Sequence, residues 1–332
     1  MWREELFRLS PIFHFRWLPA APTAMHRPTS LRTLFSPLAA ALCLASCAAQ
    51  RPAPRPTPTE ALVSAAQLPG ELARLAHNAV LLDVRERAAY DEGHVAGALH
   101  LPLEEWERAS LSEESGLAHD AAWRARIGAL GIDGDDTVLV YDSGKMTSAA
   151  RVWFVLQHFG VARAAVVDGG FPLLAQVAAQ GALPLQSAPS VRTPTTFEPA
   201  SPALVGLVDR TQMRLAVERG EAQVLDARTP AEFRGEDKRK NARGGHLPNA
   251  VNVPHTELLD AQGRLRPAEE LRSILSAAGF APGRPVITHC DGGGRAALAA
   301  LAAARAGYGP VLNYYLSFGD WAKDSTCPVV VD

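Results

Sequence analysis

Cysteine is scarce in this chain: four among 332 residues, at positions 43, 47, 290 and 327. So few and so scattered, they exclude a disulfide framework, and with no C-x-x-C pair and no histidines at ligand spacing no metal site is expected. Basic charge is not in excess either, the formal net charge being -2, so composition gives no support to nucleic-acid binding. No apolar run reaches the length that spans a bilayer comfortably. What is present is the composition of globular protein, 47% hydrophobic and 20% charged, in a chain long enough for two domains of ordinary size.

One stretch concentrates the chemistry. Val286 to Thr288 is a β-branched run of strand length, bounded by Pro285 and by glycines, and predicts a buried strand. Cys290 leaves the sheet at its end. Gly292, Gly293 and Gly294 follow, and without Cβ atoms the backbone can curl so that several N–H groups converge over the sulfur as an anion nest. From Ala296 to about Ala306 the alanines and leucines predict a helix, with Gly307 just past its end. Convergent N–H groups and a helix N-terminus favour a thiolate. A buried structural cysteine is the competing reading, but three glycines cannot fill a core and Arg295 can fix an anion.

The beginning of the chain has a different character. Met25-His26-Arg27 through Arg32 forms a basic flank, Leu34 to Leu44 a short apolar core, and Leu44-Ala45-Ser46-Cys47 resembles the lipobox of bacterial lipoproteins, in which the cysteine is lipidated after cleavage. Residues 1–47 are therefore expected to be an over-extended start, before Met25, followed by a signal peptide. Residues 48–59, with alternating prolines, are expected to be a semi-rigid tether. The expected location is the bacterial cell envelope, lipid-anchored through Cys47 on the periplasmic or outer-surface side.

Beyond the tether the sequence repeats itself. Leu81-Leu82-Asp83-Val84-Arg85 is echoed by Val224-Leu225-Asp226-Ala227-Arg228, and Tyr90 and Phe233 each lie seven residues past their aspartate. Gly93-His94 through Pro102 is echoed by Gly245-His246 through Pro254, and Val138 to Asp142 by Val286 to Cys290, so Asp142 stands where the cysteine does. Helical stretches alternate with these strands, at Glu71–Ala76, Ala122–Leu130, Ala149–Phe159 and Pro267–Ala278. The expected fold class is α/β: two tandem domains, 60–185 and 203–332, each a mainly parallel sheet flanked by helices, joined by a Pro/Ser/Thr-rich linker over 186–202 that wraps the surface.

Cys-x-x-Gly-x-Arg-Ala, with Cys290, Gly293, Arg295 and Ala296 at its fixed positions, resembles the active-site loop of the rhodanese family of sulfurtransferases. The Asp-x-Arg and Gly-His-x-x-x-Ala echoes and the closing Ser317-Phe318-Gly319-Asp320-Trp321 extend that resemblance over most of the chain beyond the tether. It implies an inert first domain, a second domain whose Cys290 takes a sulfane sulfur as a persulfide, and small-molecule partners: a sulfur donor and a thiol or cyanide acceptor, with no cofactor. Arg295 and the amides of Asp291, Gly292, Gly293 and Gly294 are the expected anion-binding groups. The resemblance also points to Arg228 as a substrate-orienting arginine, with an Asp226–Arg228 structural ion pair as the equal alternative. Asp83, Arg85, His94 and His246 recur in both copies and read as fold residues; Cys327, outside any motif, reads as a bystander.

Three features bear on the donor. Asp291 inside the loop would repel an anion unless it faces solvent, as expected. Glu232 stands where mercaptopyruvate enzymes usually carry an arginine, which favours thiosulfate or a persulfide. Lys238, Arg239, Lys240 and Arg243 form a basic insertion absent from the first copy, either a rim to the site or a solvated loop. A phosphatase of similar fold would need five residues between cysteine and arginine, whereas Cys290 and Arg295 enclose four. A vestigial rhodanese-fold lipoprotein that binds a partner or carries persulfide sulfur is the alternative from another functional class.

Overall fold

The computed structural model describes residues 57–331 apart from residue 115. The expected signal peptide, Cys43, Cys47 and most of the tether lie outside these residues. Among those described, no helix is long and apolar enough to cross a membrane.

Two five-stranded, all-parallel sheets carry the fold. The first contains β1 (Leu62–Ser64), β2 (Ala79–Asp83), β4 (Leu99–His100), β5 (Thr137–Tyr141) and β6 (Arg163–Asp168), in the order β1-β6-β5-β2-β4. The second contains β8 (Gly206–Leu207), β9 (Gln223–Asp226), β10 (Ala250–Asn252), β11 (Val286–His289) and β12 (Val311–Asn313), in the order β8-β12-β11-β9-β10. The second order reproduces the first strand for strand, so the echoes in sequence are echoes in topology. A short antiparallel pair, β3 (His94–Val95) with β7 (Leu185–Gln186), closes the first unit, and the His246–Val330 bridge closes the second at the matching place. Central strands β5 and β11 are buried along their whole length, as strands covered on both faces by helices must be.

The recurring residues hold the same corner in each copy. Arg85 Nε and Nη2 grip the Asp83 carboxylate at 2.6 to 3.0 Å and Nη2 also donates to the Gly93 carbonyl. Arg228 repeats each of these bonds with Asp226 and the Gly245 carbonyl. Phe171 covers the guanidinium of Arg85, and Phe318 that of Arg228. His94 stacks on Tyr90 at 3.6 Å and His246 on Phe233 at 3.7 Å, with Nδ1 bonded to the carbonyl of the residue it stacks on. The spacing of seven from aspartate to aromatic exists to bring that ring under the histidine.

Helices Thr147–His158 and Gly294–Arg305 pack against each other across the two units. Alanine gives the second of these both high helical propensity and a narrow profile, and its residues from Ala296 to Ala304 are all buried in a core shared by both sheets. Between the sheets, residues 187–202 have no helix or strand but are tied down: Thr195 donates to the Gly128 carbonyl, Ala200 to that of Gly160, and Phe197 is buried. A Cβ at Gly128 would collide with the Thr195 carbonyl, which is why that helix carries glycine where the segment crosses it.

Candidate active site

β11 delivers Cys290 to its C-terminal end, and the following loop turns directly into helix Gly294–Arg305. Gly293 makes the turn with φ of 96°, and a side chain there would press on the Tyr315 carbonyl and ring. Cys290 is 1% exposed. Its sulfur accepts the Gly293 N–H at 3.1 Å, and its own N–H donates to Ser317 Oγ at 3.0 Å. Ser317 holds a left-handed conformation, φ 60°, which brings its hydroxyl 3.7 Å from the sulfur. Of the convergent nest expected over the sulfur, one amide makes the contact. The N–H groups of Asp291, Gly292, Gly294 and Arg295 have no hydrogen-bond partner among the described residues, and all four residues line the cavity in which the sulfur lies.

That cavity, about 220 Å³, lies where the two units meet: Cys290, Asp291, Arg295 and Arg239 come from the second, and Glu107, Thr147, Ser148 and Arg151 from the first. Its size suits a small oxyanion or the tip of a thiol. The supposedly inert unit therefore builds one wall of the site. Leu111 of that unit also lies within contact distance of where a Gly292 side chain would be.

Arg151 is the residue missed from sequence. It is 9% exposed, in a helix whose stretch from Ala149 to Leu156 is otherwise apolar, and donates from Nη1 to Tyr315 Oη at 3.0 Å and from Nη2 to Glu107 Oε1 at 2.9 Å. Burial works against its charge, but Tyr315, Glu107 and Cys290 outweigh burial and hold the guanidinium above its ordinary value. A lone arginine amid Val152, Trp153 and Phe154 was the available signal, since a charge buried on a helix must have a partner.

Several expected roles change. Arg228 is 2% exposed and committed to Asp226 and Gly245, the arrangement Arg85 adopts in the copy without a cysteine; the structural ion pair is the reading the structure gives, and substrate orientation is not. Arg295 lines the cavity, but its Nη1 and Nη2 are held by Glu232 at 2.6 and 2.9 Å, so its charge is largely offset. Burial opposes the Glu232 charge, yet hydrogen bonds from Arg295 and Thr229 draw its carboxyl down to about 2. Asp291 does not face open solvent: it is half-buried and accepts from Asn241 Nδ2 at 2.6 Å. His289, next to Cys290, is fully buried with Nε2 3.5 Å from Asp226, and burial pushes it below its ordinary value. The basic insertion divides. Arg239 reaches the cavity, Lys238 and Lys240 are exposed, and Arg243 ties down the C-terminal segment through four carbonyls. Cys327 is buried in the second unit's own core, where burial raises its thiol.

In the first copy the anion nest is complete and filled from within. Asp142 accepts from the N–H groups of Gly144, Met146, Ser148 and Ala149 at 2.8 to 3.2 Å. A carboxylate reaches further from the backbone than a thiol and has two acceptor oxygens, so it satisfies a loop that in the second copy remains open around Cys290.

Two repeated parallel α/β units, with a thiol on a glycine loop at their junction, define a tandem-domain protein whose site is shared between the domains. The chain belongs to the rhodanese family: the profile of the rhodanese-like domain matches residues 68–176 and again 209–324. It is similar to the 3-mercaptopyruvate sulfurtransferase of Escherichia coli K12, 31% identical over 248 residues covering 72% of this chain and 84% of that protein. It is also similar to the thiosulfate sulfurtransferase of Rattus norvegicus, 31% identical over 243 residues, 71% of this chain and 80% of that one. The crystal structure of SseA from Escherichia coli superposes with a TM-score of 0.61 at 28% identity, covering 78% of this chain and 98% of SseA.

Proposed function

We propose that the chain is a sulfurtransferase that moves sulfane sulfur from thiosulfate or a low-molecular-weight persulfide to a thiol or cyanide through a persulfide on Cys290. The observation that carries this reading is the position of the sulfur, on the floor of a small cavity, accepting the Gly293 N–H beside amides that have no other partner. With thiosulfate, the Cys290 thiolate attacks the outer sulfur. A Cys–S–S bond forms as the S–S bond of thiosulfate breaks, and the electron pair of the broken bond leaves with sulfite. An acceptor thiolate or cyanide then takes the outer sulfur and restores the thiolate, so no redox partner or cofactor is needed. N–H donors at the cavity are suited to the charge on the departing group.

Family membership agrees with sulfur transfer in general, and relatives named for thiosulfate and for mercaptopyruvate are each 31% identical to the chain. Glu232 favours the first class: it stands where mercaptopyruvate enzymes usually carry an arginine, and it already occupies Arg295 through two hydrogen bonds, so that corner offers no free arginine to pair a substrate carboxylate. Incubation with thiosulfate, an alkyl persulfide or mercaptopyruvate, followed by mass spectrometry, tests the reading. The Cys290 peptide is expected to gain one sulfur from the first two donors, the Cys327 peptide none, and Cys290→Ser to abolish the gain. Persistent turnover by Cys290→Ser would rule out Cys290 as the nucleophile.

We further propose, from the features around Cys47, that the protein is a lipoprotein of the bacterial cell envelope, with the tether holding both domains off the membrane.

A further inference from the structure

We propose that Arg151, supplied by the first domain, is the cation that receives the anionic leaving group of the donor, and that Arg295 instead braces the loop. The inference rests on the reading that Cys290 takes sulfur as a persulfide.

Three arginines line the cavity, and they differ in how firmly their charge is already used. Arg295 is held by two bonds to Glu232, which is 1% exposed and is itself fixed by the Thr229 N–H and hydroxyl. That carboxylate cannot leave without breaking a buried network. Arg239 is 53% exposed on its side chain and lies 3.9 Å from the same Glu232. Solvent screens such a charge. Arg151 differs from both: its side chain is 11% exposed, and its acidic partner, Glu107, is 43% exposed and bound to it through one hydrogen bond of 2.9 Å. Glu107 can rotate into water and give up its place to an anion, while Tyr315 Oη keeps the guanidinium aimed.

The placement of Arg151 also brings its charge to the cysteine loop. A Cβ at Gly294 would be 3.3 Å from Arg151 Nη2 and 3.4 Å from Nε, so the guanidinium lies against the first residue of helix Gly294–Arg305. A cation at the positive end of a helix is unfavourable, and beside unpaired amides the two fields add. A buried positive potential of this kind stabilises negative charge that develops next to it. Sulfite leaving from a sulfur bonded to Cys290 develops charge inside this same cavity. The copy relationship explains why the residue comes from the other domain: the two loop-bearing helices pack together, so the first turns of one reach the loop of the other.

The full chain, with Arg151→Ala and Arg151→Lys, tests the assignment through single-turnover loading of Cys290 and its reversal. Arg151→Ala is expected to slow loading from thiosulfate, and removal of the persulfide sulfur by sulfite, by about a hundredfold, with loading from an alkyl persulfide, whose leaving thiolate carries a single charge that a proton neutralises, within about threefold of wild type. Arg151→Lys, which keeps the charge, is expected to recover part of the loss. Equal slowing with both donors, or slowing with neither, overturns the proposal. If wild-type Cys290 gains sulfur from no donor, the persulfide reading fails separately. Sulfite binding to Cys290→Ser, with and without Arg151→Ala, then decides the assignment: weaker binding without Arg151 supports it and unchanged binding overturns it.

Discussion

Glu232 and Arg295 lie 63 residues apart in sequence and face each other through two parallel hydrogen bonds of 2.6 and 2.9 Å, with 1% and 16% of their side chains exposed. Breaking a buried pair by removing one partner strands the other's charge, at about 3–5 kcal/mol. Arg295→Ala should therefore lower stability by that order in urea unfolding, and slow thiosulfate and alkyl persulfide alike by disordering the loop. A slowing confined to thiosulfate would mean that Arg295 serves the leaving anion after all.

The same pair makes stability depend on acid. Glu232 is depressed from 4.5 to about 2, so its contribution is complete above 4.5 and is lost as pH falls through 2. Wild type should lose stability across this window more steeply than Glu232→Gln, which has no carboxyl to protonate. Unfolding curves at a series of pH values check this, and equal slopes would refute it.

Asp142 holds four backbone N–H groups at the start of the helix that carries Arg151. Asp142→Ala leaves them unpaired in a partly buried loop, at about 1–3 kcal/mol. Lowered thermal stability and reduced turnover are expected, with the Cys290 persulfide still detectable. The effect is larger than an inert first domain would give, and a variant as stable and active as wild type would count against it.

Arg243 donates to the carbonyls of Trp321, Ala322, Asp324 and Cys327, and so pins the segment that buries Cys327. Arg243→Ala should raise the rate at which Cys327 is alkylated in native protein at least about tenfold, because local opening no longer breaks those bonds. Alkylation followed by peptide mass spectrometry reads this directly.

Cys47 is the predicted lipid attachment point. In a bacterial host, wild type should take up labelled fatty acid and sediment with membranes, and Cys47→Ser should do neither. Retention of label by Cys47→Ser would remove the anchor from this account.

Local pattern determined a great deal. The repeated Asp-x-Arg and Gly-His segments predicted two equivalent parallel sheets, because each echo carries the strand, turn and stacking residues of one unit. Val286 to Arg295 predicted strand, loop and helix, because β-branched residues, glycines and alanines each restrict the backbone in their own way. What sequence left open concerned partners distant along the chain. Whether Arg228 orients substrate or braces a corner depended on the carbonyl of Gly245 and the ring of Phe318. Whether Arg295 is free depended on Glu232. That Arg151 of one domain lies beside Cys290 of the other follows from how two helices pack across the junction. Neither helix's periodicity encodes that packing, because an apolar face specifies that it must be covered and not by what. The place of the cysteine, at a strand end on a glycine loop, was legible in sequence, whereas the charge around it was set by tertiary structure, since only folding decides which carboxylate each arginine meets.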